Sequence, residues 1–576
     1  MSTQTADKKK QGSKLITRFS LVVIVLILLN FVSSKWFTKW DLTADKRYSN
    51  TEATQQLLKE LKGHVNVTVF LTGDKLPAAF KSLANGTEEL LKTFANESKR
   101  KVSYQFADPT KDENAAKTLE EYRMTGFPVT INDAGGMEQR MVFPWALVTF
   151  IPEHGGDARH MPVMLQESNS LVLNKQILLR SEMMLEYNLG NAIRLLAKGS
   201  NDMIGYIVGN DEAMPPAMIS LARNAGLAGY GMDTINLQLQ TSISNHYKAL
   251  LILQPKKEFS DIDLFKIDQY IMNGGRVLFA LDQTLASIDS FTKEPTFTAT
   301  ANDVNINKIL FPYGIRVNND IVQDASNNAG IPVAINGEAQ PQMFSWPYFP
   351  VLEGNDALPL TKNLQGVLSR FPSSIDFNKN NDVKVEKKAL LTTSIYSRTL
   401  GLPNVVMYNQ SIMEEPNHSL FTKKNVIVAA LLQGSFVSPF AQQQSDDLLQ
   451  FIDKNNIIVK NQSDAQGKII VLSDADILLN ELSKEGPTEM GVYRFRQEYK
   501  FDNASFFQNC ITYLVDDNNL LEARTKTYQS RILDPKRVKD ERNKWQLIAI
   551  GIPVILVGIL AVIYTAARKR RYGRKM

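Results

Sequence analysis

A membrane-anchored α/β protein is the fold class this sequence predicts, and three observations predict it. Apolar runs of bilayer-crossing length stand near both ends, Phe19–Phe37 and Trp545–Ala567. Between them short apolar strands alternate with amphipathic helices, the pattern of sheets covered by helices. The basic excess sits in the tails: of a formal net charge of +5, residues 1–18 carry +4 and residues 568–576 carry +6, which leaves −5 for everything between. A nucleic-acid binder would keep its basic excess on the folded body, so that class loses its support. With 44 % hydrophobic and 22 % charged residues, the 576-residue chain is neither disordered nor collagen-like. The single cysteine, Cys510, excludes an internal disulfide and a multi-cysteine metal site.

The elements follow in order. Residues 1–18 read as a cytoplasmic tail and 19–37 as a transmembrane helix. A cleaved signal peptide competes, because Val32, Ser33 and Ser34 are small enough for a cleavage site; Trp36 as an interface aromatic favours an uncleaved anchor. Residues 41–199 form a first domain. In it Val65–Leu71 alternates as a strand, Leu76–Glu97 carries apolar residues at helical spacing, and Val102, Tyr104 and Phe106 alternate before Asp108-Pro109 stops the strand. That is a β-α-β unit. Further strands are expected at Pro128–Asn132, Met141–Ile151 and Pro162–Gln166, then a long helix through Leu178, Leu185, Leu189, Ile193 and Leu196 that ends at Lys198-Gly199.

Residues 200–523 form a larger domain with apolar strands at Met203–Gly209, Thr234–Gln240, Ala249–Pro255 and Arg276–Asp282. A helix over Ser260–Gly275 has Ser260 at its N-cap and ends at Gly274-Gly275. Asn425–Leu431 and Lys468–Asp474 complete what reads as a parallel sheet covered on both faces. The polar stretch Asp324–Gln342 reads as a long exposed loop. Residues 524–544 form a charged stalk, 545–567 a second transmembrane helix, and 568–576 a basic tail that the positive-inside bias places in the cytoplasm, with the long middle on the other side.

Chemical motifs are few. No G-x-S-x-G, G-x-x-x-x-G-K-[ST] or H-E-x-x-H occurs, so an ATPase driving this protein must lie on another chain. Glu153, His154, Asp157 and His160 cluster in EHGGDARH, but in a turn without the helical spacing that fixes two imidazoles on one face; solvated residues are the simpler reading. Asp474 and Asp476 end an apolar strand, where ligand sites of parallel sheets gather, yet they also suit the cap of a following helix, DILLNEL. Cys510 sits on an amphipathic helix and reads as a small core residue. Asn273-Gly274-Gly275 precedes a strand and so is a helix terminator instead of a phosphate loop. No catalytic, metal or cofactor residue is assigned.

Asp41, Leu42, Thr43, Lys46, Arg47, Tyr48 and Ser49 form a lead that resembles the gliding-motility-associated ABC transporter auxiliary proteins of the GldG type, and Leu360–Asp376 and Ser505–Asp534 extend the resemblance over the chain. The resemblance implies a thioredoxin-like first domain and an amidotransferase-like, flavodoxin-like parallel second domain, flanked by two transmembrane helices. It also implies a permease and a cytoplasmic ATPase as partners. The first domain has no cysteine for a thioredoxin pair, and where an amidotransferase needs its nucleophile this chain has Gln254 and Pro255. Three functions follow as expectations: a non-enzymatic subunit of an inner-membrane ABC transporter, a solute-binding module for an unknown small-molecule or envelope ligand, and, disfavoured, an anchored enzyme.

Overall fold

The computed structural model describes residues 49–73, 76–133, 136–166, 175–199, 202–335, 340–378, 385–408, 410–441, 445–463, 467–483, 486–515, 520–525 and 535–572. The first apolar run, Phe19–Phe37, lies outside the described residues. The chain forms two compact units, one up to residue 526 and one from residue 527.

The first unit opens with helix α1 (Glu52–Lys59), whose start is capped by the Thr51 side chain. Strand β1 (Gly63–Val69), helix α2 (Ala78–Glu97) and strand β2 (Val102–Phe106) make the expected β-α-β unit, with β1 and β2 parallel and Val65 opposite Val102. Helix α3 (Glu113–Glu121) has no counterpart in the sequence reading, although Asp112 caps it and Ala115 and Leu119 give it a one-turn apolar stripe. The single strand expected at Met141–Ile151 is two. Strands β3 (Phe127–Asp133) and β4 (Gly136–Val142) pair as a separate hairpin, and β5 (Trp145–Pro152) begins after Phe143-Pro144, where proline lacks an amide for a continuous ladder. Strands β5 and β6 (Arg159–Met164) extend the first sheet in the order β2-β1-β5-β6, antiparallel from β1 onward. Val65, Val67 and Val69 alternate inward onto Leu83, Leu91 and Phe94 of α2 and onto Leu185, Leu189 and Ile193 of α4 (Lys175–Lys198).

From residue 202 the same unit builds a nine-stranded sheet. Strand β7 (Asp202–Val208), helix α5 (Ile219–Leu227), strands β8 (Tyr230–Asn236) and β9 (Tyr247–Leu253), helix α6 (Asp261–Met272) and strand β10 (Val277–Ala280) come first. Ser260 caps α6 by accepting from the Asp263 amide, as its sequence predicts. Strand β8 ends at Asn236, short of Gln240, because the Asn236 side chain accepts from the Gln238 amide and starts a 3-10 turn. The chain then makes β11 (Thr284–Leu285), β12 (Thr296–Ala301), α7 (Asn307–Tyr313), β13 (Ile315–Val317), β14 (Asp320–Asp324), β15 (Ile331–Val333), β16 (Gln342–Phe344), β17 (Val351–Gly354), β18 (Val367–Leu368) and β19 (Ile375–Phe377). It continues through β20 (Val385–Thr392), β21 (Ser397–Gly401), β22 (Asn404–Met407), β23 (Ile427–Gly434), α8 (Asp446–Asn455), β24 (Gly467–Leu472) and α9 (Asn503–Val515).

Two expectations fail here. The large sheet is mixed: β8-β7-β9-β10-β24 run parallel, whereas β23, β20, β17 and β18 continue it antiparallel. A continuously apolar strand reports that both its faces are covered and is silent on its direction. In the stretch Asp324–Gln342 the described residues 324–335 are not an exposed loop, whereas 340–342 are exposed. Asp324 is fully buried and accepts hydrogen bonds from the Ser326, Asn327 and Ser394 amides and from the Ser394 hydroxyl. Beyond it Ile331 and Val333 enter the core as β15 pairs with β16.

The second unit is one helix, α10 (Pro535–Tyr572). Lys544–Arg570 is long and apolar enough to cross a membrane, with a mean hydropathy of 2.8 over its apolar 18-residue window. The helix takes in the last ten residues of the expected stalk and runs through Pro553 without ending.

Candidate functional site

Open α/β sheets bind ligands outside the carboxyl ends of their parallel strands, where strand order reverses. Here the order reverses between β7 and β9. Gly209 leads the chain out of β7 with φ +127°, and a Cβ there would stand 3.2 Å from Asn236 Oδ1. The crevice itself is filled by the turn that follows. The Asn210 amide donates to Glu212 at 2.7 Å, Asn210 Nδ2 donates to the Glu258 carbonyl at 2.9 Å, and Lys256 and Lys257 amides donate to the Asn210 carbonyl.

Open space lies one strand further along. A cleft of about 380 Å³ is lined by Gln254, Lys256, Asp282, Ser287, Phe297 and Asn302 among others. The register of the sheet sets a second acid beside the Asp282 of this lining. Ala280 of β10 pairs with Leu472 of β24, so Asp282 and Asp474, each two residues beyond its strand, emerge side by side. Asp282 accepts from the Ala475 amide and from Gln254 Nε2, both at 2.6 Å. Asp474 accepts from the Asp476 amide at 2.8 Å, from the Arg370 amide at 2.6 Å and from the Ser369 hydroxyl. Asp476 lies 3.9 Å from the Arg370 guanidinium, which holds Glu481 at 3.0 Å; Glu481 in turn meets Arg494 at 3.1 Å.

Burial pushes all three aspartates above the ordinary carboxylate range. Asp282 rises to about 7, through burial first and the neighbouring Asp476 second, against the hydrogen bonds from Gln254 and Ala475 and the charge of Lys256. Asp474 is raised well above its usual value by burial, then by Asp476 and Asp282. Burial also raises Asp476, while Arg370 and Lys256 pull it down.

Of the residues singled out from sequence, Asp474 takes the capping role, although the helix it caps is only the 3-10 turn Ala475–Ile477 and DILLNEL goes no further. Glu153, His154, Asp157 and His160 lie exposed around the β5–β6 turn. Glu153 stands 3.7 Å from Lys101, and His160 Nδ1 meets Thr149 Oγ1 at 3.0 Å. Cys510 is fully buried on α9, and burial raises its thiol pKa well above the ordinary value, away from the reactive thiolate. Among the described residues no three His, Cys, Asp or Glu side chains gather as a metal site. The sequence reading missed Asp282 and Lys256; the signal for Asp282 was an apolar strand, RVLFALD, ending on an acid just as KIIVLSD does. The cleft offers a cation, a carboxyl group, hydroxyls, amides and one aromatic ring: groups that bind a polar molecule.

A family model described as an ABC-type uncharacterized transport system matches residues 201–510, more than half of the chain. A second, a domain of unknown function, matches residues 44–149. No curated protein matches. Among solved structures the "mmIFT52 N-terminal domain" is similar at 15% identity and a TM-score of 0.30, over 54% of this chain and 96% of that one.

Proposed function

On the premise that the chain belongs to the family of ABC-type uncharacterized transport systems, we propose that it is a non-enzymatic, membrane-anchored subunit that works with a permease and a cytoplasmic ATPase carried on other chains. The observation that carries this reading is the surface of α10. None of its most apolar stretch is buried within the protein, and it runs directly into Arg568, Lys569 and Arg570. Such a helix needs lipid or other helices around it, with its basic end in the cytoplasm. The lack of a phosphate-loop motif assigns ATP hydrolysis to another chain.

The finer reading is a two-pass protein of the inner membrane. Both termini are cytoplasmic and the body is periplasmic, comprising a thioredoxin-like domain at 41–199 and an amidotransferase-like domain at 200–523. The basic residues beside each apolar run support the orientation. The β-α-β unit flanked by antiparallel β5 supports the first fold, and the parallel order β8-β7-β9-β10-β24, one of the two common doubly wound orders, supports the second. The lead from Asp41 to Ser49 supports a gliding-associated type.

Affinity purification of the full chain in mild detergent tests the proposal, with a polytopic permease and its ATPase expected in the eluate. Replacing residues 545–567 by an unrelated spanning segment should keep the protein in the membrane and lose the complex. Recovery of an active protein with no permease captured by cross-linking would refute the subunit role. The cleft beside Asp282 favours a second reading, a solute-binding module. A folded Lys256→Ala variant that keeps the complex but loses the transport phenotype would decide for it.

A further inference from the structure

A second groove lies away from the sheet's carboxyl ends, where α1, the carboxyl end of α4 and residues 520–525 pack on one another. Its volume is about 400 Å³, and Leu57, Lys62, Arg194, Lys198, Asp202 and Leu520 are among its lining. Arg194 is the unusual member. It is only 8% exposed, and it donates Nε and Nη2 to Asn191 Oδ1 at 3.2 and 2.8 Å. Among the described residues no carboxylate stands within ion-pair distance of its guanidinium, and Nη1 makes no hydrogen bond.

The other charges of the groove are committed or point outward. Lys198 holds Asp202 at 2.5 Å, and Glu60 accepts from Gln56 Nε2 at 3.0 Å. Lys62 sits exposed on the rim with no ion pair among the described residues. No nitrogen of Arg194 is both buried and without a partner, so its unused donors face the open groove, where water or a ligand reaches them. The end of α4 accounts for a cation near its last turn. It does not account for one that is more than nine-tenths buried, lines a cavity and has three of its five N–H donors unused.

We propose that this groove is a binding site for a phosphate group, with Arg194 as its fork and Lys62 as its second cation. A carboxylate has two oxygens to answer the guanidinium fork and leaves the rim lysine without a partner; a phosphate presents further oxygens to both. The phosphate comes either free in solution or on a lipid headgroup. The lipid source alone rests on the membrane-subunit reading; the site stands on the folded body.

The test uses the full chain in mild detergent and in nanodiscs. Inorganic phosphate should raise the melting temperature of the wild type and leave Arg194→Gln unmoved, while acetate at equal ionic strength moves neither. Lys62→Gln should bind about threefold more weakly, the size of one exposed charge. Arg194→Lys, which keeps the charge and loses the fork, should bind about tenfold more weakly and serves if Arg194→Gln fails to accumulate. Phosphatidylglycerol retained by the wild type in native mass spectrometry and lost in these variants, without an effect of free phosphate, supports the same site with lipid as its source. Acetate acting as well as phosphate would overturn the proposal in favour of an acidic peptide, and equal behaviour of wild type and variants toward phosphate and lipid would overturn it outright. Co-purification of the permease is scored in parallel: its loss in the wild type refutes the subunit role and leaves the groove standing.

Discussion

Replacing Asp282 by asparagine should remove a pH dependence from the stability of the body. The folded protein holds the Asp282 proton up to about pH 7, whereas the unfolded chain releases it near 3.8. Below both values the two states are equally protonated and the stability contribution is complete. As pH rises between them the unfolded chain sheds a proton that the folded one keeps, so stability falls until about pH 7 and then levels. At 1.36 kcal/mol per unit, a shift of about three units caps the total at about 4 kcal/mol, of which about 1.4 kcal/mol is lost between pH 6 and pH 8.

That upper window isolates Asp282 from two other groups. Asp268 is raised to about 6 by burial, against hydrogen bonds from Tyr313, Ser438 and Gln269, so most of its loss precedes pH 6. At Glu489 burial is overcome by Arg223 and Lys500, which bring it to about 2; its contribution is lost only as pH falls below 4.5. In Asp282→Asn the side-chain oxygen still accepts from Ala475, and the Gln254 amide turns to present its oxygen to the new NH₂ group. Urea unfolding of the full chain in mild detergent, followed by tryptophan fluorescence at pH 6, 7 and 8, gives the slope. The wild type should lose stability with rising pH and the variant should lose less, its remaining slope coming from Asp474, Asp476 and the tail of Asp268, all raised by burial. A wild type that gains stability from pH 6 to pH 8, or a variant with an unchanged slope, refutes the argument.

Cys510→Ala removes one small buried atom and should cost about 1–2 kcal/mol with the transport phenotype intact; loss of function in an abundant, folded variant would revive an enzymatic nucleophile. Asp324→Ala strands four donors, three of them amides, and should destabilise the body by about 3 kcal/mol or more in the same urea assay, where an exposed-loop residue would change it by less than about 0.5 kcal/mol. For topology, a reporter after Met576 should be active only in the cytoplasm. One inserted between the exposed Gly155 and Gly156 should be active only outside it, and cytoplasmic activity there contradicts the orientation. Reversing Arg568, Lys569, Arg570 and Arg571 to glutamate should weaken cytoplasmic retention of the carboxyl terminus, read with the same reporter.

Local signals account for what could be read from the sequence. Alternation in Val65–Val69 and the Ser260 cap of α6 are properties of a few consecutive residues, and both elements form where those residues place them. Direction and partnership are not local. Strand β23 is as apolar as β24 and lies beside it, yet runs the other way, because the path of the connecting chain decides direction and burial does not. Asp324 opens a stretch rich in Asn and Gly that composition assigns to solvent; its donors include Ser394, which only the β14–β21 pairing brings near.

The two clefts make the same point about function. Asp474 was visible as an acid ending a strand, but what raises its proton affinity is burial first, then Asp476 and then Asp282, the last almost two hundred residues earlier in the chain and adjacent only through the Ala280–Leu472 register. Arg194 stands among Ala192, Ile193, Leu195 and Leu196 on an amphipathic helix, and the pattern by itself does not say that it lines a groove. The groove it lines is walled by α1 and by Leu520, which belong to the stretches of the body that lie nearest in sequence to the apolar runs. A chain that only needed to tether a folded body could close this junction with aliphatic side chains, as Leu57, Leu61 and Leu520 already do around it. A guanidinium whose unused donors face a groove is placed to receive an anion, and that is the reason to look for the anion there before looking for a substrate in the sheet.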